Sequence, residues 1–225
     1  MRIVLACLSI LLVSPPAVAQ DRPSVPRDQW SRVDDLFREL GVTAGSHVAD
    51  VGAGQGFFTT RLATAVGPQG RVYAVDVNPV SLRELKNAIG DERPNVEIVR
   101  GDEDDPHLPA DSLDAVLVVN AYHEFAEYRA MLAHLRAALR PGGRLVLVEP
   151  IPSRAEDTTR EAQTRRHAIA IEFVEQDLRE AGFEITKKDG GFITRPRPHT
   201  DDTTKRAPEP TDWLLVAVRP PGDGR

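Results

Sequence analysis

The chain of 225 residues has a single cysteine, Cys7, near its N-terminus. One thiol excludes an internal disulfide framework and a thiolate metal site. Basic charge is scarce as well. Lys and Arg number 28 against 34 Asp and Glu, giving a net charge of −6. That is the opposite of the electrostatic footprint for nucleic acid, so none is expected as a partner. The Arg165-Arg166 pair reads as a solvated helix face. The apolar stretch over 3–13 is too short for a membrane span, which needs about 20 residues. Internal repeats, low-complexity tracts and a second-domain boundary are also missing. What remains is 41% hydrophobic and 28% charged, an ordinary globular composition. At this length one domain with a proper core is the expectation.

The N-terminus reads "MRIVLACLSILLVSPPAVAQ". Arg2 supplies a positive start, the apolar stretch follows, and Ala17-Val18-Ala19 fits the small-residue cleavage rule. A signal peptide over 1–19 is expected, then a Pro-rich flexible segment over 20–27, then one domain over 28–225. The chain is accordingly expected to be exported, periplasmic or secreted, and cytoplasmic if the signal does not function. Cys7 opens the apolar stretch instead of following it, which argues against a lipid anchor. No stable membrane insertion is expected after cleavage.

Beyond the leader, apolar runs alternate with helix-period runs. A helix is expected over 28–40, with Trp30, Val33, Leu36, Phe37 and Leu40 on one face. Strands are expected over 47–51, 71–75, 96–99, 113–119, 144–149 and 183–187, with a last strand from Asp212 onward. Helices are expected over 57–66, 79–89 and 128–139, and one long polar helix over 159–181. Two glycines and four prolines make 189–210 read as a loop. Apolar strands alternating with helices imply a doubly wound, mostly parallel α/β sheet covered on both faces. Ligands of such sheets sit at the carboxyl ends of the strands, where strand order reverses.

The candidate site lies at such ends. In "VADVGAGQGFF", Gly52, Gly54 and Gly56 alternate, with Ala53 between the first two. Glycines there allow a tight turn and close backbone approach. The spacing is G-x-G-x-G, with Phe57 where a dinucleotide fingerprint places its third glycine. Asp50, two residues earlier, would repel a pyrophosphate and attract a cationic amine. Asp76 ends the next strand, where a carboxylate can take both hydroxyls of a ribose. Val77 is placed to pack on a purine. Asp102 follows the third strand and suits an adenine amino group; Glu103 is its neighbour, and the pair also reads as part of a solvated acid cluster.

The segments "VADVGAGQGFFTTRLA", "VYAVDVNP", "VRGDEDD", "LDAVLVVNAYHEF" and "LRPGGRLVLVEP" together resemble the class I S-adenosylmethionine-dependent methyltransferases, over about 45–150. The resemblance implies a Rossmann-like seven-stranded sheet and S-adenosyl-L-methionine as cofactor. It implies cofactor contacts from Asp50, Gly52, Gly54, Gly56, Asp76, Asp102 and Asn120. The C-terminal part is similar to a subgroup acting on small molecules.

A sulfonium methyl is already activated, so the protein mainly aligns nucleophile, methyl and sulfur. A general base is needed only if the nucleophile carries a proton. "NAYHEF" follows the fourth strand, which makes His123 the candidate base or substrate contact. Tyr122 would shape the pocket or be a buried ring. Glu124 would orient His123 or favour a helix N-terminus. Glu149 is expected at the pocket mouth, and His167 is a further candidate. His123, Glu124, His167 and Glu172 are metal-capable, but no H-E-x-x-H spacing is present and no metal is expected. Trp213 reads as core or rim. Two functions stay open: methyl transfer to a small molecule, or an exported domain that binds the nucleoside without transferring methyl. The second arises because S-adenosylmethionine is made in the cytoplasm.

Overall fold

The structure is a computed structural model, and it describes residues 26–90, 92–196 and 209–222. The leader expected over 1–19 lies outside the described residues.

Seven strands form one sheet: β1 His47–Val51, β2 Arg71–Asp76, β3 Val96–Arg100, β4 Leu113–Val119, β5 Leu139–Pro150, β6 Glu184–Ile193 and β7 Asp212–Val218. Their spatial order is β3-β2-β1-β4-β5-β7-β6. The first five run parallel, and β7 returns antiparallel to both β5 and β6. The order reverses between β1 and β4, which pair through Val48–Ala115 to Val51–Val118. This is the expected doubly wound α/β sheet.

Strand periodicity divides the core between two faces. Val116 and Val118 of β4 join Ala49 and Val51 of β1 on one face. There they pack on α4 (Tyr128–Ala138) and α6 (Ile171–Glu180) through Leu132, Leu135, Val174 and Leu178. Ala115 and Leu117 join Val48 on the other face, against α1 (Val33–Leu40) and α2 (Phe57–Val66). A third cluster seats α3 (Pro79–Ile89) on Ala74 through Leu82, Leu85 and Ile89. Asn78 caps α3 by accepting a 2.9 Å bond from the Val80 N–H, and Pro79 needs no partner at the first position. Among the described residues, no helix is long and apolar enough to cross a membrane.

Four expected elements are different in the structure. The strand expected over 144–149 begins earlier, at Leu139, and takes in Pro141, Gly142 and Gly143. The helix over 28–40 is a 3₁₀ turn, Arg27–Gln29, followed by α1, because Arg32 sits in the left-handed region at φ 51°. The 3₁₀ turn also begins inside the segment read as flexible. The helix over 159–181 is two helices, α5 (Arg160–Thr164) and α6. Between them His167 has φ 53°, and the Gln163 side chain replaces the lost helical bonds. Its amide oxygen accepts from the Ala170 N–H at 2.7 Å and its amide nitrogen donates to the Asp157 carbonyl at 2.9 Å. Lastly, the loop expected from 189 begins as strand: β6 continues to Ile193 along β7, past a register shift at Gly190 and Gly191.

Candidate active site

The carboxyl ends of β1, β2 and β4 open onto a cleft of about 190 Å³, lined among others by Gly52, Asp76, Val77, Asp102, Glu103 and Glu124. The glycine turn enters it through Gly52. Gly52 has φ 78°, and a Cβ there would lie 2.3 Å from the Ala121 Cβ of the facing β4 loop. Gly56 has φ 87°, and its Cβ would meet Leu85 Cδ1 of α3 at 2.2 Å. These two glycines therefore let the turn close between β4 and α3. Gly54 has open space where a Cβ would point. Ala53 is buried against the α3 cluster.

Asp76 braces the turn. Its Oδ2 accepts from the Gly54 N–H at 2.8 Å and its Oδ1 from the Asn78 N–H at 2.8 Å. Val77 is half exposed over the same cleft and offers it an apolar surface. Across from it, Asp102 Oδ2 lies 2.9 Å from His107 Nε2. That carboxylate, with Asp105 adding to it, holds the exposed His107 imidazole above its ordinary range.

Asp50 is elsewhere. Alternation along β1 turns it with Val48 towards α2, and its carboxylate accepts the Thr59 hydroxyl at 2.6 Å while almost fully buried. Burial is the main cause pushing its pKa up to about 6, opposed by the Thr59 bond. A carboxyl whose folded pKa lies above its unfolded value stabilises the fold most below the unfolded value. That contribution is lost as pH rises through about 6. A shift from 3.8 to about 6 corresponds to about 3 kcal/mol. Chemical denaturation of wild type and Asp50→Asn from pH 4 to pH 7 checks this. The wild type is expected to lose stability relative to the variant across that window, and parallel profiles would contradict it.

The segment after β4 carries the remaining candidates. Asn120 has φ 56° and lines a neighbouring pocket of about 190 Å³ with Arg27, Ser31 and Arg195. A 3₁₀ turn, Tyr122–Glu124, follows. Tyr122 is turned into the core, not the cleft. Its hydroxyl donates to Asp177 at 2.7 Å, and burial together with that carboxylate drives its pKa far above the usual phenol. Asp177 is also paired with Arg160. His123 is buried too, held by Glu149 rather than by Glu124. Glu149 is fully buried instead of standing at the mouth. Its Oε1 accepts from the Ala121 and Tyr122 N–H groups, both at 2.7 Å, and its Oε2 lies 2.6 Å from His123 Nδ1. A carboxylate can only accept there, so Nδ1 is the donor, and in the neutral ring Nε2 keeps its lone pair. Glu124 is exposed at the cleft, its Oε1 3.7 Å from that Nε2. Trp213 is core, donating from Nε1 to the Ile169 carbonyl at 2.7 Å. The sequence reading missed Arg27, Ser31 and Arg195. No spacing signal marks them, because they come from opposite ends of the chain.

Residues 48–143 match a family described as a methyltransferase domain. The chain is 32% identical over 136 residues to the ubiquinone/menaquinone biosynthesis C-methyltransferase UbiE of Hahella chejuensis, covering 57% of this chain and 54% of that protein. The chain spans about half the length of the curated relatives it matches. A SAM-dependent methyltransferase structure from Aquifex aeolicus superposes with a TM-score of 0.69 at 20% identity, over 87% of this chain and 94% of that one. The [4+2]-cyclase SpnF shares the fold at TM-score 0.68 and 18% identity, over 84% of this chain and 81% of that one. Strand order and motif order agree with the match of residues 48–143 to a methyltransferase domain, and the chain shares the fold of the methyltransferase structures it superposes on.

Proposed function

We propose that the protein transfers the methyl group of S-adenosylmethionine to a small-molecule acceptor. The observation that carries this reading is the cleft at the strand-order reversal, which gathers Gly52, Asp76, Val77 and Asp102 opposite Glu124. Asp76 offers carboxylate oxygens to the ribose, Val77 an apolar face to the adenine, and Asp102 an acceptor to its amino group. The glycine turn leaves room for the methionine end. Next to it, the pocket with Arg27, Arg195 and the unpartnered Ser31 hydroxyl suits a carboxylate. Because the sulfonium supplies its own leaving group, alignment of the acceptor across the turn over 122–124 is the main catalytic task.

The SpnF likeness shows why fold alone does not establish transfer. The test is turnover. The purified chain is incubated with methyl-labelled S-adenosylmethionine and a panel of small oxygen, nitrogen, sulfur and carbon nucleophiles. Label in an acceptor, matched by demethylated cofactor, is the expected result. Cofactor binding with no demethylated product from any acceptor would favour the nucleoside-binding reading.

Export is part of the proposal. Arg2, the apolar stretch and Ala17-Val18-Ala19 support it. Recovery of a chain beginning at Gln20 from the periplasmic fraction is expected, and an intact Met1 chain confined to the cytoplasm would overturn it.

A further inference from the structure

We propose that His123, Glu124 and His167 form a binding site for a divalent first-row transition-metal ion, zinc in the first instance. One coordination position of this site stays open beside the cofactor cleft.

The first observation is an orphan. The His123 side chain is 1% exposed, and its Nε2 has no hydrogen-bond partner. Buried polar atoms are nearly always partnered, so such a nitrogen asks for an occupant. The second is the support behind it. Nδ1 is engaged by the buried Glu149 carboxylate at 2.6 Å. A carboxylate behind a histidine fixes the tautomer, leaves the distal lone pair free and raises its basicity, which is how metal-binding imidazoles are commonly held. The third is what Nε2 faces. Glu124 Oε1 lies 3.7 Å away, and the same oxygen lies 3.7 Å from His167 Nδ1. The two imidazole rings stand nearly perpendicular at 85°, with centroids 5.5 Å apart. One donor atom from each of the three residues falls within 4.8 Å of the others.

The dimensions and donor types fit. Zinc sits about 2.0–2.1 Å from imidazole nitrogen and about 2.0–2.2 Å from carboxylate oxygen, so tetrahedral donors lie about 3.4 Å apart. The two 3.7 Å separations are already close to this. The remaining adjustment falls on Glu124 and His167, which are exposed, and not on the fixed His123. Two imidazoles and a carboxylate favour a transition ion over magnesium or calcium. Three protein ligands leave a fourth position free, the pattern of catalytic zinc sites. Glu124 belongs to both the cluster and the cleft, so that position adjoins the cofactor. What fills it rests on the methyl-transfer reading: an acceptor hydroxyl or thiol, bound as its anion after its proton has left to solvent. The sequence offers these three residues, with Glu172, as metal-capable but gives no ligand spacing to join them, because Glu124 and His167 lie far apart in the chain. The break between α5 and α6 brings His167 back to the turn over 122–124.

The test is calorimetric titration of the metal-free purified chain with zinc sulfate, alone and after saturation with S-adenosylhomocysteine. One equivalent is expected to bind with low-micromolar affinity or better. His167→Ala, at an exposed position where folding is not at stake, should weaken it at least tenfold, and Glu124→Gln should also weaken it. His134→Ala, on the surface of α4, should leave it unchanged and so controls for adventitious sites. Cobalt in place of zinc should give the visible absorption of a tetrahedral site, lost in His167→Ala. Absence of stoichiometric binding, or equal affinity in wild type and His167→Ala, overturns the proposal. If S-adenosylhomocysteine still binds in those samples, the methyl-transfer reading survives the loss of the metal site; if it does not, that reading fails separately.

Discussion

Glu149→Ala is expected to cost the fold about 3–9 kcal/mol. The Glu149 side chain is fully buried and takes three donors at once: the Ala121 and Tyr122 N–H groups and His123 Nδ1. Removing it leaves all three without partners, at about 1–3 kcal/mol each. Domains are stable by only about 5–15 kcal/mol, so this is a large share of the total. Thermal unfolding should move down by about 10 °C or more for a chain of this size. Glu149→Gln keeps one carbonyl oxygen for the backbone groups but faces His123 Nδ1 with an amide. It should fall between wild type and Glu149→Ala. A loss under about 1 kcal/mol in Glu149→Ala would show that water replaces the carboxylate, and that Glu149 does not hold the turn over 122–124.

The second large effect is on binding. Asp76→Ala is expected to weaken S-adenosylmethionine at least about a hundredfold. Two charge-assisted hydrogen bonds to ribose hydroxyls are worth about 1.5–3 kcal/mol each, and tenfold in affinity is about 1.4 kcal/mol. The same variant also frees the Gly54 and Asn78 N–H groups that Asp76 now braces. Both belong to partly exposed contacts that water can reach, so stability should change far less than in Glu149→Ala. The contrast separates the two carboxylates: one holds the fold of the site, the other holds ligand. Binding within a fewfold of wild type in Asp76→Ala would remove the ribose role.

The fold was legible because β1 to β4 and the second half of β5 are apolar runs closed by a turn signal, and the helices between them have clear periodicity. The failures have local causes. Nothing in 159–181 forbids a continuous helix by propensity. The break depends on Gln163 capping Ala170 and on Trp213 anchoring the Ile169 carbonyl, and both are tertiary contacts. The start of 189–210 read as loop because glycines and prolines outweighed the pairing that β7 offers.

In the site, strand-tip reasoning located residues at the cleft where they lie at their strand's end. Gly52, Asp76, Val77, Asp102 and Glu103 all reach the cleft. It worked less well for Asp50, because which face a strand residue takes depends on which helix covers it. Here alternation sends Asp50 under α2. Glu149 was expected at the pocket mouth and is inside the protein instead, and of the two readings of Tyr122 the structure gives the buried ring. Adjacent residues in a 3₁₀ turn point in different directions, so "YHEF" could not say which side chain faces out.

The measurement that bears most directly on the central claim is calorimetric titration of the purified chain with S-adenosylmethionine, S-adenosylhomocysteine and NAD in parallel. Saturable one-to-one binding of the first two, with none for NAD, is the result expected of a cleft built around Asp76 and the Gly52–Gly56 turn. Binding of NAD alone, or of none of the three, would contradict it.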